Sequence, residues 1–239
     1  NLTASLQKEH SKLAMRFSND NVLFWQDGQL LVNKVATDLK TSLDLDRSTR
    51  TLTLNDANIS LNGITFDVKG TLKRDTVRRA LNVDIAYALH APSLETVFNM
   101  IPESVLKRES MEARGSVKME GDVKGWYGKQ QMPAVTLKVQ IDKASAKYDK
   151  LPYGIDNFTA DFYAFVDLMR KQPSYADLKI FHFQGAHTDI LADAKIVNLL
   201  EDPDITFNTK SKVDLTALAQ AFPLQEGVTI GGDLEADLR

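Results

Sequence analysis

Apolar and polar residues alternate with a period of two through most of this chain. In "VTLKVQID", Val135, Leu137, Val139 and Ile141 fall on one face and Thr136, Lys138, Gln140 and Asp142 on the other. "ITFDVKG" repeats the arrangement, with Ile64, Phe66 and Val68 opposite Thr65, Asp67 and Lys69. The same pattern predicts strands over 41–46, 81–89, 115–123, 157–166, 178–183, 189–196, 204–214 and 228–238. Successive side chains of a strand point to opposite faces, so each run presents one apolar and one wet face.

Asp27-Gly28 and Asn62-Gly63 predict tight hairpins, because glycine accepts the positive φ such turns need. The stretches 46–50, 73–80 and 200–204 read as longer polar connections, and 164–171 as either a helical turn or a strand end before Pro173. Short loops between roughly a dozen strands argue for an antiparallel meander rather than βαβ crossovers.

Two short segments break the alternation in the same way. "SLETVFNMIPE" (93–103) spaces Leu94, Val97, Phe98 and Ile101 as one helical stripe, with Ser93 as cap and Pro102 as stop. "DLTALAQAFPL", from Asp214, repeats it with Leu215, Leu218, Ala219, Phe222 and Pro223. Each copy follows an alternating strand and precedes a glycine-containing one, "ARGSVKMEGDVKG" and "TIGGDLEADL". A strand end that needs covering would explain why the helix recurs. Leu94, Phe98 and Ile101, and likewise Leu215, Leu218 and Phe222, are expected to pack on the sheet.

Composition narrows the function classes. At 43% hydrophobic and 26% charged residues the chain has the balance of a folded protein rather than a disordered one. A net charge of −3 gives no general attraction to nucleic acid or anionic membrane. The basic cluster Lys73, Arg74, Arg78 and Arg79 is short enough to be a solvated strand end. With no cysteine there is no disulfide framework and no thiol chemistry. No apolar run approaches the roughly 18 residues of a membrane-spanning helix. The chain opens at Asn1 and stops within an alternating run, which leads us to expect a segment of a longer protein.

No catalytic or metal motif emerges. His182 and His187, five apart on a continuous strand, would face opposite sides and make a poor metal pair, unless a turn at Gly185 intervenes. "GDVKGWYGKQ" (121–130) lacks the first glycine of a phosphate loop, where Val123 stands, and its Ser or Thr, where Gln130 stands. It reads as a hairpin end with Trp126 and Tyr127 as rim aromatics. Asp44, Asp46, Asp67, Asp84, Asp122 and Asp142 occupy the polar positions of strands, and no carboxylate pair has acid–base spacing. The chain is therefore expected to be non-enzymatic, without cofactor or metal.

The apolar faces must leave water, at roughly 25 cal/mol per Å², and two short helices can cover only a few strands. The rest must be covered by the sheet folding on itself, by a partner, or by an apolar ligand. The order "ISLNGITFDVKGTL", "LNVDIAYAL", "SLETVFNMIP", "ARGSVKMEGDVKG", with its second pass over 189–238, resembles the AsmA-like family (AsmA/TamB/YhdP-type Gram-negative envelope proteins). The resemblance covers roughly residues 40 to 239. It implies a periplasmic protein, anchored in the inner membrane by a helix outside this segment, that contributes to outer-membrane assembly and lipid homeostasis by carrying phospholipid along a β-groove. The family offers no catalytic residues to transfer. On this reading the groove candidates are the apolar alternates Ile64, Phe66, Val68, Val83, Ile85, Val135, Leu137, Val139, Ile141 and Ile190, each of which serves equally as plain core.

The resulting expectation is a mainly β fold. It has a long, twisted, mostly antiparallel sheet curved into a groove or partly closed sandwich, with two short capping helices. Residues 1–239 form one elongated segment, with repeat-like units at about 51–125 and 176–239 linked by strands at about 132–170. The leading function is binding or conducting phospholipid or another apolar ligand. The alternative is a scaffolding β domain with a closed core that binds an envelope protein partner, and a carbohydrate-binding domain using Trp25, Trp126 or Tyr127 is a third.

Overall fold

The computed structural model describes residues 1–26, 29–100, 111–149, 151–221 and 229–239. Among these the chain is mainly β. The strands are β1 (Leu2–Leu6), β2 (His10–Gln26), β3 (Gln29–Asp46), β4 (Thr51–Leu61), β5 (Ile64–Asp75) and β6 (Ala80–Ala91), followed by helix α1 (Leu94–Met100). Then come β7 (Met111–Tyr127), β8 (Ala134–Tyr148), β9 (Ile155–Val166), β10 (Tyr175–Gly185), β11 (Thr188–Val197), β12 (Asp204–Asp214), helix α2 (Leu215–Ala221) and β13 (Asp233–Leu238). They form one 13-stranded sheet whose spatial order is the chain order, β1 to β13. The predicted antiparallel meander is the architecture.

Chain contacts divide the molecule into two units. One comprises Asn1–Ala91, Lys118–Lys138 and Ala164–Ser174, and the other Pro92–Val117, Val139–Tyr163 and Tyr175–Arg239.

In the first unit the hairpin at Asn62-Gly63 forms as its sequence predicts, with φ of 49° and 84°. The Asn62 side-chain oxygen accepts the Ala36 N–H at 2.8 Å, tying the turn to β3. β2 and β3 pair as far as Gln26 and Gln29. The turn residues Asp27 and Gly28 lie outside the described residues. The stretch after β9 is a turn rather than a helix. Asp167, only 6% exposed, accepts the backbone N–H groups of Met169, Lys171 and Gln172 at 3.0 to 3.1 Å. Asx-type bonding of this kind competes with helix for the backbone donors.

In the second unit α2 is capped as predicted, the Asp214 carboxylate accepting the Ala217 N–H at 2.8 Å. Of the expected Leu215, Leu218 and Phe222, Leu218 packs as expected and Phe222 lies outside the described residues. Ala217 and Ala221 are the buried positions, packed with Ala186 at the β10–β11 turn, while Leu218 and Tyr153 are partly buried against them. The helix meets a tight turn at close range, where small side chains fit. Of the predicted run 228–238, position 228 lies outside the described residues and 229–232 are not strand, so β13 begins at Asp233, with Gly232 held at the start of α2. Its carbonyl accepts the Leu215 N–H at 2.9 Å, and its N–H donates to the Thr216 hydroxyl at 3.2 Å. Both helices form, each after an even-numbered strand. In α1, Leu94, Val97 and Phe98 are half-buried. Ile101, Pro102, Phe222 and Pro223 lie outside the described residues.

Candidate apolar sheet face

Register decides whether the apolar alternates of separate strands join into one surface. Residues directly opposite in an antiparallel pair share a face. In the first unit, β1 to β3 align Leu2 with Met15, Met15 with Thr41, Leu13 with Leu43, and Phe17 with Leu39. β3 then pairs Leu39 with Ile59 and Leu43 with Leu54. β4 and β5 pair Leu61 with Ile64, Ile59 with Phe66, Ala57 with Val68 and Leu52 with Leu72. β5 and β6 pair Phe66 with Leu89, Val68 with Tyr87 and Leu72 with Val83. One largely apolar face therefore runs across six strands, with Thr41 a polar member opposite Met15.

A phase error in the sequence would have broken this surface. In β4 the apolar positions change parity, from Leu52 and Leu54 to Ala57, Ile59 and Leu61. A register shift between Leu54 and Ala57 absorbs the extra residue, so both halves stay on the same side. The second unit uses the same device in β10, where the register shifts between Leu178 and Phe181. The predicted simple alternation over 178–183 is therefore interrupted. Phe181 opposes Ala192, Phe183 opposes Ile190, Ala194 opposes Phe207 and Val213 opposes Leu234.

The sequence candidates can be placed on these faces. Ile64, Phe66, Val68, Val83 and Ile85 share the first unit's apolar face through the pairings of β5 and β6. Thr136 bonds Asp122 on the opposite side, at 2.8 Å, which turns Val135 and Leu137 to the apolar side as well. In the second unit, Gln140 bonds Asp161, Asn157 bonds Gln184 and Gln184 bonds Asp189 on the polar face. Val139, Ile141 and Ile190 therefore lie on the other side, where the Phe158 and Phe181 rings meet edge to face at 5.4 Å. Tyr87 and Phe158 lie in predicted runs yet were omitted from the candidates, and pairing adds Phe17, Leu39, Ile59, Leu72 and Phe181, which the sequence patterns did not place.

Every one of those candidates is half-buried rather than buried. Among the described residues no large side chain is fully buried, and the buried apolar residues are alanines and Val35. Toward β1 the face opens further, with Leu6 78% and Phe17 48% exposed, and toward β13 Ile205 is 65% exposed.

The opposite face is a field of polar pairs. Lys40 contacts Asp56 at 2.9 Å, Asn58 donates to Asp67 at 2.7 Å and Asn55 to Asp44 at 3.0 Å. Such exposed pairs contribute little stability each, but they commit this side to water. His182 and His187 serve separate carboxylates, His182 meeting Asp189 at 3.0 Å and His187 meeting Asp214 at 3.4 Å. Among the described residues no three His, Asp or Glu side chains group as metal ligands. No described helix is long and apolar enough to cross a membrane.

At the β5–β6 turn the apolar face changes character. Arg74 opposes Leu81, so it continues the column that runs through Phe66, Val68, Gly70 and Leu72. Arg78 lies over the Trp126 ring with its guanidinium carbon 4.7 Å from the centroid. As a sequence this stretch reads as a solvated strand end, and the parity of Arg74 is the signal that places it on the apolar side. Comparison with family models, with curated protein sequences and with solved structures returned no match.

Proposed function

We propose that this chain is a non-enzymatic segment of an AsmA-like envelope protein that binds or conducts phospholipid along its apolar sheet face. On this reading it works in the periplasm, held to the inner membrane by an anchor outside the segment, and contributes to outer-membrane assembly or lipid homeostasis. The observation that supports it is the register-continuous apolar face of the first unit, whose large side chains stay half-exposed. Leaving such a face in water costs roughly 25 cal/mol per Å², so it calls for a partner that is itself apolar. Acyl chains satisfy that demand without needing a complementary protein shape.

The test is native mass spectrometry of the chain purified without detergent, followed by lipid extraction. Phospholipid at a reproducible stoichiometry is the expected result. A lipid-free protein that also refuses added phospholipid would overturn the proposal and favour a scaffolding role, with a protein partner on the same face.

A further inference from the structure

We propose that the end of the apolar face at the β5–β6 turn is a phosphate-headgroup cradle, in which Arg74 and Arg79 hold the anionic group of an amphiphile whose tails lie along Leu72 and Val83. The proposal rests on the lipid reading of the face and identifies the part of the lipid that fixes its orientation.

A cavity of about 630 Å³ opens at this end, lined by Arg74, Thr76, Arg79, Leu81 and Tyr127 among others. Its size falls in the usual range for small-molecule sites. Gly128 closes one side, since a Cβ there would come within 3.0 Å of the Ala80 Cβ. The cavity is thus walled by two turns and takes in the Arg74–Leu81 pair that ends the apolar column, next along the face from Leu72 and Val83.

Charge at this end is unbalanced. The nearby acid, Asp75, is engaged within its own turn, accepting the Val77 and Arg78 N–H groups, each at 2.9 Å. Arg78 is laid over Trp126, and Arg50 donates to the Thr76 hydroxyl at 2.6 Å. No hydrogen bond or ion pair ties the guanidinium of Arg74 or Arg79 to another described residue. Two free guanidinium groups, each a planar fork suited to phosphate oxygens, therefore stand at the head of a hydrocarbon column. That order of polarity matches a phospholipid. A free phosphate shares the guanidinium chemistry but makes no use of the column.

The full chain would be titrated with dioctanoyl phosphatidylglycerol, with dioctanoylglycerol, which has the same tails and no phosphate, and with inorganic phosphate. Binding would be read by native mass spectrometry. The phosphatidylglycerol is expected to bind about tenfold more tightly than the neutral lipid. Arg74→Ala with Arg79→Ala is expected to remove that difference while leaving dioctanoylglycerol unchanged, and Arg74→Lys with Arg79→Lys to restore part of it. Both arginines are exposed, so circular dichroism should confirm that the fold is kept. Equal affinity of the wild type for the two lipids, or no change in the double alanine variant, would overturn the cradle and leave lipid binding by the face intact. Failure of the wild type to bind either lipid would overturn the face reading and the cradle with it. Inorganic phosphate binding as tightly as the phosphatidylglycerol would replace the amphiphile with a free anion.

Discussion

The Tyr87 hydroxyl donates to the main-chain carbonyl oxygen of Thr136 at 2.8 Å, so a side chain of β6 reaches β8 over the intervening β7. The crossing passes Gly121, where a Cβ would come within 2.6 Å of the phenol oxygen and would also strike the Thr136 carbonyl. Gly121→Ala is expected to destabilise the protein by about 1–3 kcal/mol through overpacking. Tyr87→Phe keeps the ring and loses one hydrogen bond, for about 1 kcal/mol. Urea unfolding measures both, and an unchanged midpoint for Gly121→Ala would show that the crossing is not formed.

Phe66 stands between Ile59 and Leu89 and is half-buried. A fully buried phenylalanine cut to alanine costs about 3–5 kcal/mol. Phe66→Ala is expected to cost less, about 1–2 kcal/mol, because part of the ring already faces solvent. Phe66→Asp should remain folded and lose co-purifying lipid. A loss in the higher range for Phe66→Ala, or an unfolded aspartate variant, would indicate a closed core.

Asp167 holds the turn after β9 by accepting three backbone N–H groups, while its own N–H donates to the Ser174 hydroxyl at 2.8 Å. Asp167→Ala leaves those donors without a partner in a mostly buried position, at an expected cost of about 2–3 kcal/mol. Asp167→Asn retains an acceptor oxygen and should recover a measurable part of the loss. Equal urea midpoints for the alanine variant and the wild type would rule out this anchoring role.

The acid limb of stability should carry the signature of two turn carboxylates. Asp46 is held down to about 2, first by the Ser48 hydroxyl and then by the Thr49 N–H. Asp214 is lowered chiefly by the Ala217 N–H at the start of α2, with His187 adding to it. A depressed folded pKa contributes stability that is present above the unfolded value and lost as pH falls through the folded one. Thermal stability is therefore expected to decline below about pH 4, and Asp46→Asn with Asp214→Asn should flatten that decline. An unaltered acid limb in the double variant would refute the assignment.

The alternation by itself determined most strands from β5 onward, that they meander, and which side chains share a face wherever a strand has no bulge, whereas β1, β2 and β4 were not read from it. The pleat has a period of two, and that is a local property. The Asn62-Gly63 hairpin and the Asp214 cap were equally legible, because each is decided by two or three consecutive residues. Only the tertiary structure decided the phase between strands. The parity change between Leu54 and Ala57 reads as a break in the pattern, and it becomes a continuous face only when β5 pairs across it with a bulge. The bond from Tyr87 to Thr136, the separate carboxylates of His182 and His187, and the place of Arg74 at the head of the apolar column all follow from register. Register is a relation between segments distant in sequence, set by pairing and bulges that no single strand encodes. Whether Phe66 and Leu137 end buried or half-exposed depends in turn on what lies over the sheet, and the same alternation is written for a covered face and an uncovered one.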